Sequence, residues 1–222
     1  EEIRSMNADM FIVVAFKKLP KEIFTIPKLG TINLHASLLP NYRGAAPINW
    51  ALINNEKVTG VTTFFINEKI DQGDIILYEK VAIKDDDDYG SLYNKLSYTG
   101  AKLLLKTIST VYKGDFKTKK QPSAGEIRKA PKLDSKNTRI NWEDKIERIL
   151  GTIRGLSPYP GSWTILRNGD KKIRMKIIKA DLHRITSFDK KDIGKVSIID
   201  NKILVTTIGG QINCSIVKLE KK

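Results

Sequence analysis

The stretch from Thr31 to Trp50, TINLHASLLPNYRGAAPINW, constrains the fold more than any other part of this chain. Ile32 and Leu34 alternate with Asn33 and His35, a period of two that predicts a short strand with one apolar face and one face carrying an amide and an imidazole. Ser37-Leu38-Leu39-Pro40 stops the strand. Asn41-Tyr42-Arg43-Gly44 then supplies turn residues, and Pro47 is suited to open a helix through Ile48, Trp50, Ala51 and Leu52. In open α/β sheets, ligands bind beyond the strand ends where such loops gather.

The remaining elements follow from local patterning. Phe11-Ile12-Val13-Val14-Ala15-Phe16 is a continuous apolar run of the kind found in buried parallel strands, followed by a turn at Lys17-Lys18-Leu19-Pro20 and a short helix from Lys21 to Ile26. Gly60 to Ile66 and Ile75 to Ile83 read as strands. The polar loop between them contains Asp71-Gln72-Gly73-Asp74, in which a lone aspartate has a plain role as a turn-former. Asp85 to Asp88 precede a helix-like run through Leu96, Ala101, Leu104 and Leu105, so they are expected to cap that helix and to hold no metal.

From Lys113 the composition turns to Lys, Pro, Gly and Ser without periodicity, which marks a basic linker placed at 116–133. The region 134–222 then shows short strands at Trp163 to Leu166, Arg174 to Ala180, Gly194 to Ile199, Lys202 to Thr207 and Gln211 to Leu219. Their even spacing suggests a small all-β barrel, with His183 in a surface loop.

Composition narrows the setting. The 222 residues, 41% of them hydrophobic, suit one large domain or two small ones with buried cores. No apolar run approaches the ~18–20 residues of a membrane span, and Glu1-Glu2-Ile3-Arg4 lacks the pattern of a secretory signal, so a cytoplasmic location is expected. The single cysteine, Cys214, excludes a disulfide framework and reads as a small buried hydrophobe. A formal charge of +14 makes a polyanion such as RNA a plausible partner, although a solvated basic surface would give the same count.

Asn33-Leu34-His35-Ala36-Ser37-Leu38-Leu39-Pro40, with Tyr42-Arg43-Gly44, Pro47 and Trp50, resembles the signature of the 10-formyltetrahydrofolate-dependent formyltransferases. Ala130-Pro131-Lys132-Leu133, Arg139-Ile140-Asn141-Trp142 and Pro158 to Thr164 resemble the linker and C-terminal domain of the methionyl-tRNA branch, with Asn141 where aspartate is more usual. The resemblance implies an α/β fold: a Rossmann-like formyltransferase domain at 1–115, incomplete at its N-terminus, the linker at 116–133, and an OB-like β-barrel that binds tRNA at 134–222. It further implies catalytic roles for Asn33, His35 and Asp71, and a folate site lined by Ser37, Leu38, Leu39 and Pro40.

The implied reaction moves a formyl group from 10-formyltetrahydrofolate to the methionine amine of initiator methionyl-tRNA, carried out by a monomer without a metal. Two alternatives share the central signature: a formyltransferase acting on an amino-sugar nucleotide, and a non-catalytic RNA-binding module. Arg43 is a further candidate anion contact. The Phe16-Lys17 turn is one residue shorter than the family pattern and lacks its glycine, which sets the folate contacts of that loop apart.

Overall fold

The computed structural model describes residues 2–15, 18–122 and 125–220; the Phe16-Lys17 turn lies outside the described residues. In chain order the elements are α1 (Glu2–Ser5), β1 (Phe11–Val14), α2 (Lys21–Phe24), β2 (Thr31–His35), β3 (Arg43–Gly44), α3 (Pro47–Ile53), β4 (Val58–Phe65) and β5 (Ile75–Ala82). They continue as α4 (Tyr89–Tyr112), β6 (Lys129–Ala130), α5 (Ile146–Leu156), β7 (Ser162–Asn168), β8 (Lys171–Ile185), β9 (Val196–Ile199), β10 (Lys202–Thr207) and β11 (Gly210–Leu219). Two compact units form: Glu1–Pro47, Lys57–Ile83 and Tyr93–Lys132 make the first, and Ile48–Glu56, Lys84–Leu92 and Leu133–Lys222 make the second.

The first unit holds a mixed four-stranded sheet in the order β1-β2-β4-β5, parallel between β1 and β2 and antiparallel beyond. The alternation in β2 sets which face is which. Ile32 packs with Ile76 and with Val111 of α4, and a Cβ on Gly100 of α4 would stand 2.9 Å from the Leu34 side chain. Ile32 and Leu34 therefore lie under α4, which leaves Asn33 and His35 on the opposite face. The Thr63 and Thr107 hydroxyls, 2.9 Å apart, pair polar groups within the buried α4 contact.

β1 differs from the fully buried strand its apolar run predicts. Its residues alternate between half-buried and exposed, with Ile12 38% and Val14 54% exposed. A β1 partner is present on one side only among the described residues, and a continuous apolar run cannot by itself report whether both faces are covered. The acidic run behaves as a cap. Asp88 Oδ1 accepts the Ser91 amide at 2.8 Å while the Ser91 hydroxyl accepts the Asp88 amide at 3.2 Å, a reciprocal box at the start of α4.

The second unit overturns the expected OB-like barrel. Its sheet is open, five antiparallel strands in the order β7-β8-β11-β10-β9, and among the described residues no pairing joins β7 to β9. The strands are not evenly short: β8 runs for 15 residues and β11 for 10. Three register shifts between them bend the sheet around α5, whose Ile146, Ile149 and Ile153 pack against Met175, Ile177, Val205 and Ile212. A helix thus fills the concave face that a second wall of a barrel would otherwise cover. One shift falls at His183, between the pairs Leu182–Ile212 and Arg184–Gln211, so this histidine is an exposed bulge within β8 and not a loop residue.

Helix α5 also meets the segment 48–56 closely. A Cβ on Gly155 would come within 2.9 Å of the Asn49 carbonyl oxygen, and the Asn49 Nδ2 donates to the Gly155 carbonyl at 2.8 Å. Glycines four residues apart, Gly151 and Gly155, give the backbones this approach, an arrangement set by residues some hundred positions apart in the chain.

Candidate active site

Within the first unit, the end of β2, the loop that follows it and the β4–β5 loop bring His35 and Asp71 side by side. Asn33 and His35 project together because they are two residues apart on one strand. His35 is 7% exposed, and its Nε2–H donates to the Tyr42 carbonyl oxygen at 2.8 Å. A carbonyl only accepts, so the neutral ring carries its proton on Nε2 and presents the Nδ1 lone pair. That Nδ1 lies 3.8 Å from Asp71 Oδ2, too long for a direct hydrogen bond and short enough for an atom between them to contact both.

Asp71 is held by backbone geometry. Its φ of 53° lies in the left-handed region, which costs a non-glycine residue on the order of 1–3 kcal/mol and persists only where the surroundings fix it. The surroundings here are clear: Oδ2 accepts the Gly44 amide at 2.9 Å, and Gly73 passes so close to β4 that a Cβ would collide with the Phe65 carbonyl oxygen. Asp71 is therefore a turn residue and a partly buried carboxylate at once, with its side chain 12% exposed.

The Asn33 amide has one end unmatched. Its Oδ1 is buried without a hydrogen-bond partner, which costs about 1–3 kcal/mol and calls for an explanation in a native site. The Ser37 to Pro40 segment is more structural than its motif suggests. Ser37 is fully buried and donates its hydroxyl to the Asn41 carbonyl at 2.7 Å, and Leu39 packs with Phe64 and Ile75. Leu38 and Pro40 are half-buried, and the Leu39–Pro40 peptide is cis.

Arg43 does not stand free. Its Nε and Nη2 donate to Gln121 Oε1 at 3.0 and 2.7 Å, and Nη2 also donates to the Pro122 carbonyl at 3.1 Å. Burial pushes the guanidinium below its ordinary pKa, while Asp71 acts in the opposite sense. Gln121 in turn donates to the Asp71 and Gly73 carbonyls, at 3.1 and 2.8 Å. The aperiodic linker sequence gives no sign that one of its side chains reaches this loop. A cavity of about 430 Å³ opens beside it, lined by residues that include Phe24, Ile66, Gln72 and Gln121.

Among the described residues, no group of three or more His, Cys, Asp or Glu is placed to hold a metal ion. No helix among them is long and apolar enough to cross a membrane.

The formyl transferase model matches residues 1–108, and the model for the formyl transferase C-terminal domain matches residues 132–222. The chain belongs to the formyltransferase family. Among formyltransferases, a methionyl-tRNA formyltransferase of Chlorobium limicola is 45% identical over 99% of this chain and 69% of its own length. One from Flavobacterium psychrophilum is 43% identical over 94% of this chain and 65% of its own length. The chain spans 52–69% of the length of the curated relatives it matches. The fold also matches HypX from Aquifex aeolicus in complex with tetrahydrofolic acid, with a TM-score of 0.72 and 22% identity over the whole chain and 38% of HypX.

Proposed function

We propose that this formyltransferase moves the formyl group of 10-formyltetrahydrofolate to the α-amine of methionine on initiator methionyl-tRNA. The observation that carries the reading is the Asp71 carboxylate, fixed by the Gly44 amide at 2.9 Å with its Oδ2 3.8 Å from His35 Nδ1, on the strand face that His35 shares with Asn33. The acceptor is supported by the methionyl-tRNA formyltransferases to which the chain is similar, and the donor by the folate bound in HypX.

In this mechanism the amine nitrogen attacks the formyl carbon. A new C–N bond forms, the carbonyl oxygen gains negative charge, and collapse of the tetrahedral intermediate breaks the bond to folate N10, which takes the proton that His35 received from the amine. The Asn33 amide donates to the developing oxyanion, a role in which loss of one donor costs on the order of 10²–10³ in rate. The His35 Nδ1 accepts the proton that the amine gives up, since its Nε2–H is committed to Tyr42. Asp71 stabilises the imidazolium that results. An α-amine with a pKa of about 7.7–8.0 is already partly nucleophilic near neutrality, so the base need not be strong.

The donor lies along Ser37 to Pro40 and reaches the cavity beside Gln72 and Gln121, whose volume falls within the ~300–1,000 Å³ usual for small-molecule sites. Residues 134–222 and the basic linker at 116–133 engage the tRNA, and the protein works as a monomer in the cytoplasm. The test is formyl transfer to charged initiator tRNA by the full-length protein and its His35→Ala variant. Transfer by the parent with a large loss in the variant supports the reading; a folded, folate-binding parent without transfer discards the tRNA acceptor in favour of an amino-sugar nucleotide.

A further inference from the structure

Gln121 makes a complete set of hydrogen bonds. Its Oε1 accepts both Arg43 Nε and Arg43 Nη2, and its Nε2 donates to the carbonyls of Asp71 and Gly73. A guanidinium only donates and a carbonyl only accepts, so the amide can point in one sense alone. The two carbonyls it grips belong to the loop in which Asp71 adopts a left-handed φ of 53°, one of them to Asp71 itself. The carboxylate itself is fixed at one oxygen by the Gly44 amide, while Arg43 precedes Gly44 in β3 and is the residue that Gln121 clamps. Gln121 therefore ties together the two chain segments whose spacing sets where Asp71 stands relative to His35.

We propose that Gln121 is a positioning residue for formyl transfer, holding the Asp71 loop and the Arg43–Gly44 strand in the spacing that presents the carboxylate to His35. The proposal rests on the reaction assigned above. It also gives the linker a part in the chemistry, because Gln121 lies in the 116–133 segment and not in either loop it joins. Its neighbour Lys119 pairs its backbone with Ile75, N to O at 2.8 and 2.9 Å, which places the glutamine beside the loop before its side chain engages.

The test compares Gln121→Ala and Gln121→Glu with the parent in the full-length protein, each alone and combined with Asp71→Asn. Glutamate keeps the shape and the contact with Arg43 but turns an oxygen toward two carbonyls. Both single variants should lose about 10–100-fold in kcat, the scale on which support of an active group is felt, with KM for donor and acceptor changed less than about 3-fold. In the Asp71→Asn background the same substitutions should cost less than about 3-fold, because a residue acting through the carboxylate has nothing left to position.

A kcat within about 2-fold of the parent, or a loss that adds in full to that of Asp71→Asn, overturns the role. If the alanine variant melts below the assay temperature, the isosteric glutamate variant decides on the same criteria. A parent that transfers no formyl group overturns the reaction and the role together, whereas an active parent with an equally active Gln121→Ala variant overturns the role alone.

Discussion

The Asp71 carboxylate accepts its hydrogen bond from the Gly44 amide, 2.9 Å away, and not from His35. Gly44 has φ 126°, and a Cβ there would collide with the Ala130 carbonyl oxygen where β3 pairs with β6. Gly44→Ala must therefore push β3 and β6 apart and move the amide that anchors the carboxylate. We expect a loss of about 1–3 kcal/mol in stability from the strained backbone. A fall in kcat of about 10-fold or more should accompany it, by misplacement of the carboxylate. Urea unfolding and steady-state kinetics on the one variant measure both; an unchanged kcat would show that the Gly44 hydrogen bond is dispensable.

Asn33 separates function from stability more sharply. Its Oδ1 is buried and unpaired, so Asn33→Ala removes an unsatisfied group as well as a donor. The variant should retain or gain stability while kcat falls by on the order of 10²–10³. A melting point several degrees lower with kcat intact would reverse both assignments and make the amide structural.

Cys214 is 2% exposed, and burial alone raises its thiol pKa from 9.0 to about 12. In the folded protein the thiol stays protonated at a pH where the unfolded chain has released that proton. The unfolded state then binds fewer protons, and stability falls as pH rises through the window from about 9 to about 12, on the order of 1.4 kcal/mol per unit. Below pH 9 the contribution is complete. Urea midpoints for the parent and Cys214→Val at pH 8 and pH 10.5 should diverge, the parent losing more; parallel losses in the two proteins would remove the cysteine from the account.

Local rules carried the strands, the α4 cap and the shared face of Asn33 and His35, because each depends on residues within a few positions of one another. What they could not carry was set by partners distant in sequence. The bend of β8 and β11 around α5 depends on a helix that the strand spacing does not reveal, so a run of short strands read as a barrel and the structure shows an open sheet. The exposure of β1 depends on a neighbour, and the strand's own residues name none. At the site, Asp71 was legible through its motif, while Gln121 sits 50 residues away in a stretch without period or pattern and meets the Asp71 loop only in three dimensions.

The lysines beside Gln121 offer the test that separates an RNA acceptor from a sugar nucleotide. Lys119 is fixed to Ile75 through both its amide and its carbonyl, so Lys117, Lys119 and Lys120 are exposed on a segment pinned to the first unit. A pinned cation loses less freedom on meeting a phosphate than one on a loose tail. Replacing all three by glutamine should raise the KM for tRNA, leave kcat within about 2-fold, and flatten the dependence of log KM on log salt by roughly 0.7–0.9 for each phosphate that is no longer neutralised. Both proteins should converge at high salt, where the counterions no longer gain by release. An unchanged KM and salt slope would remove these lysines from the acceptor site, and a shallow slope in the parent itself would favour a small acceptor with few phosphates over RNA.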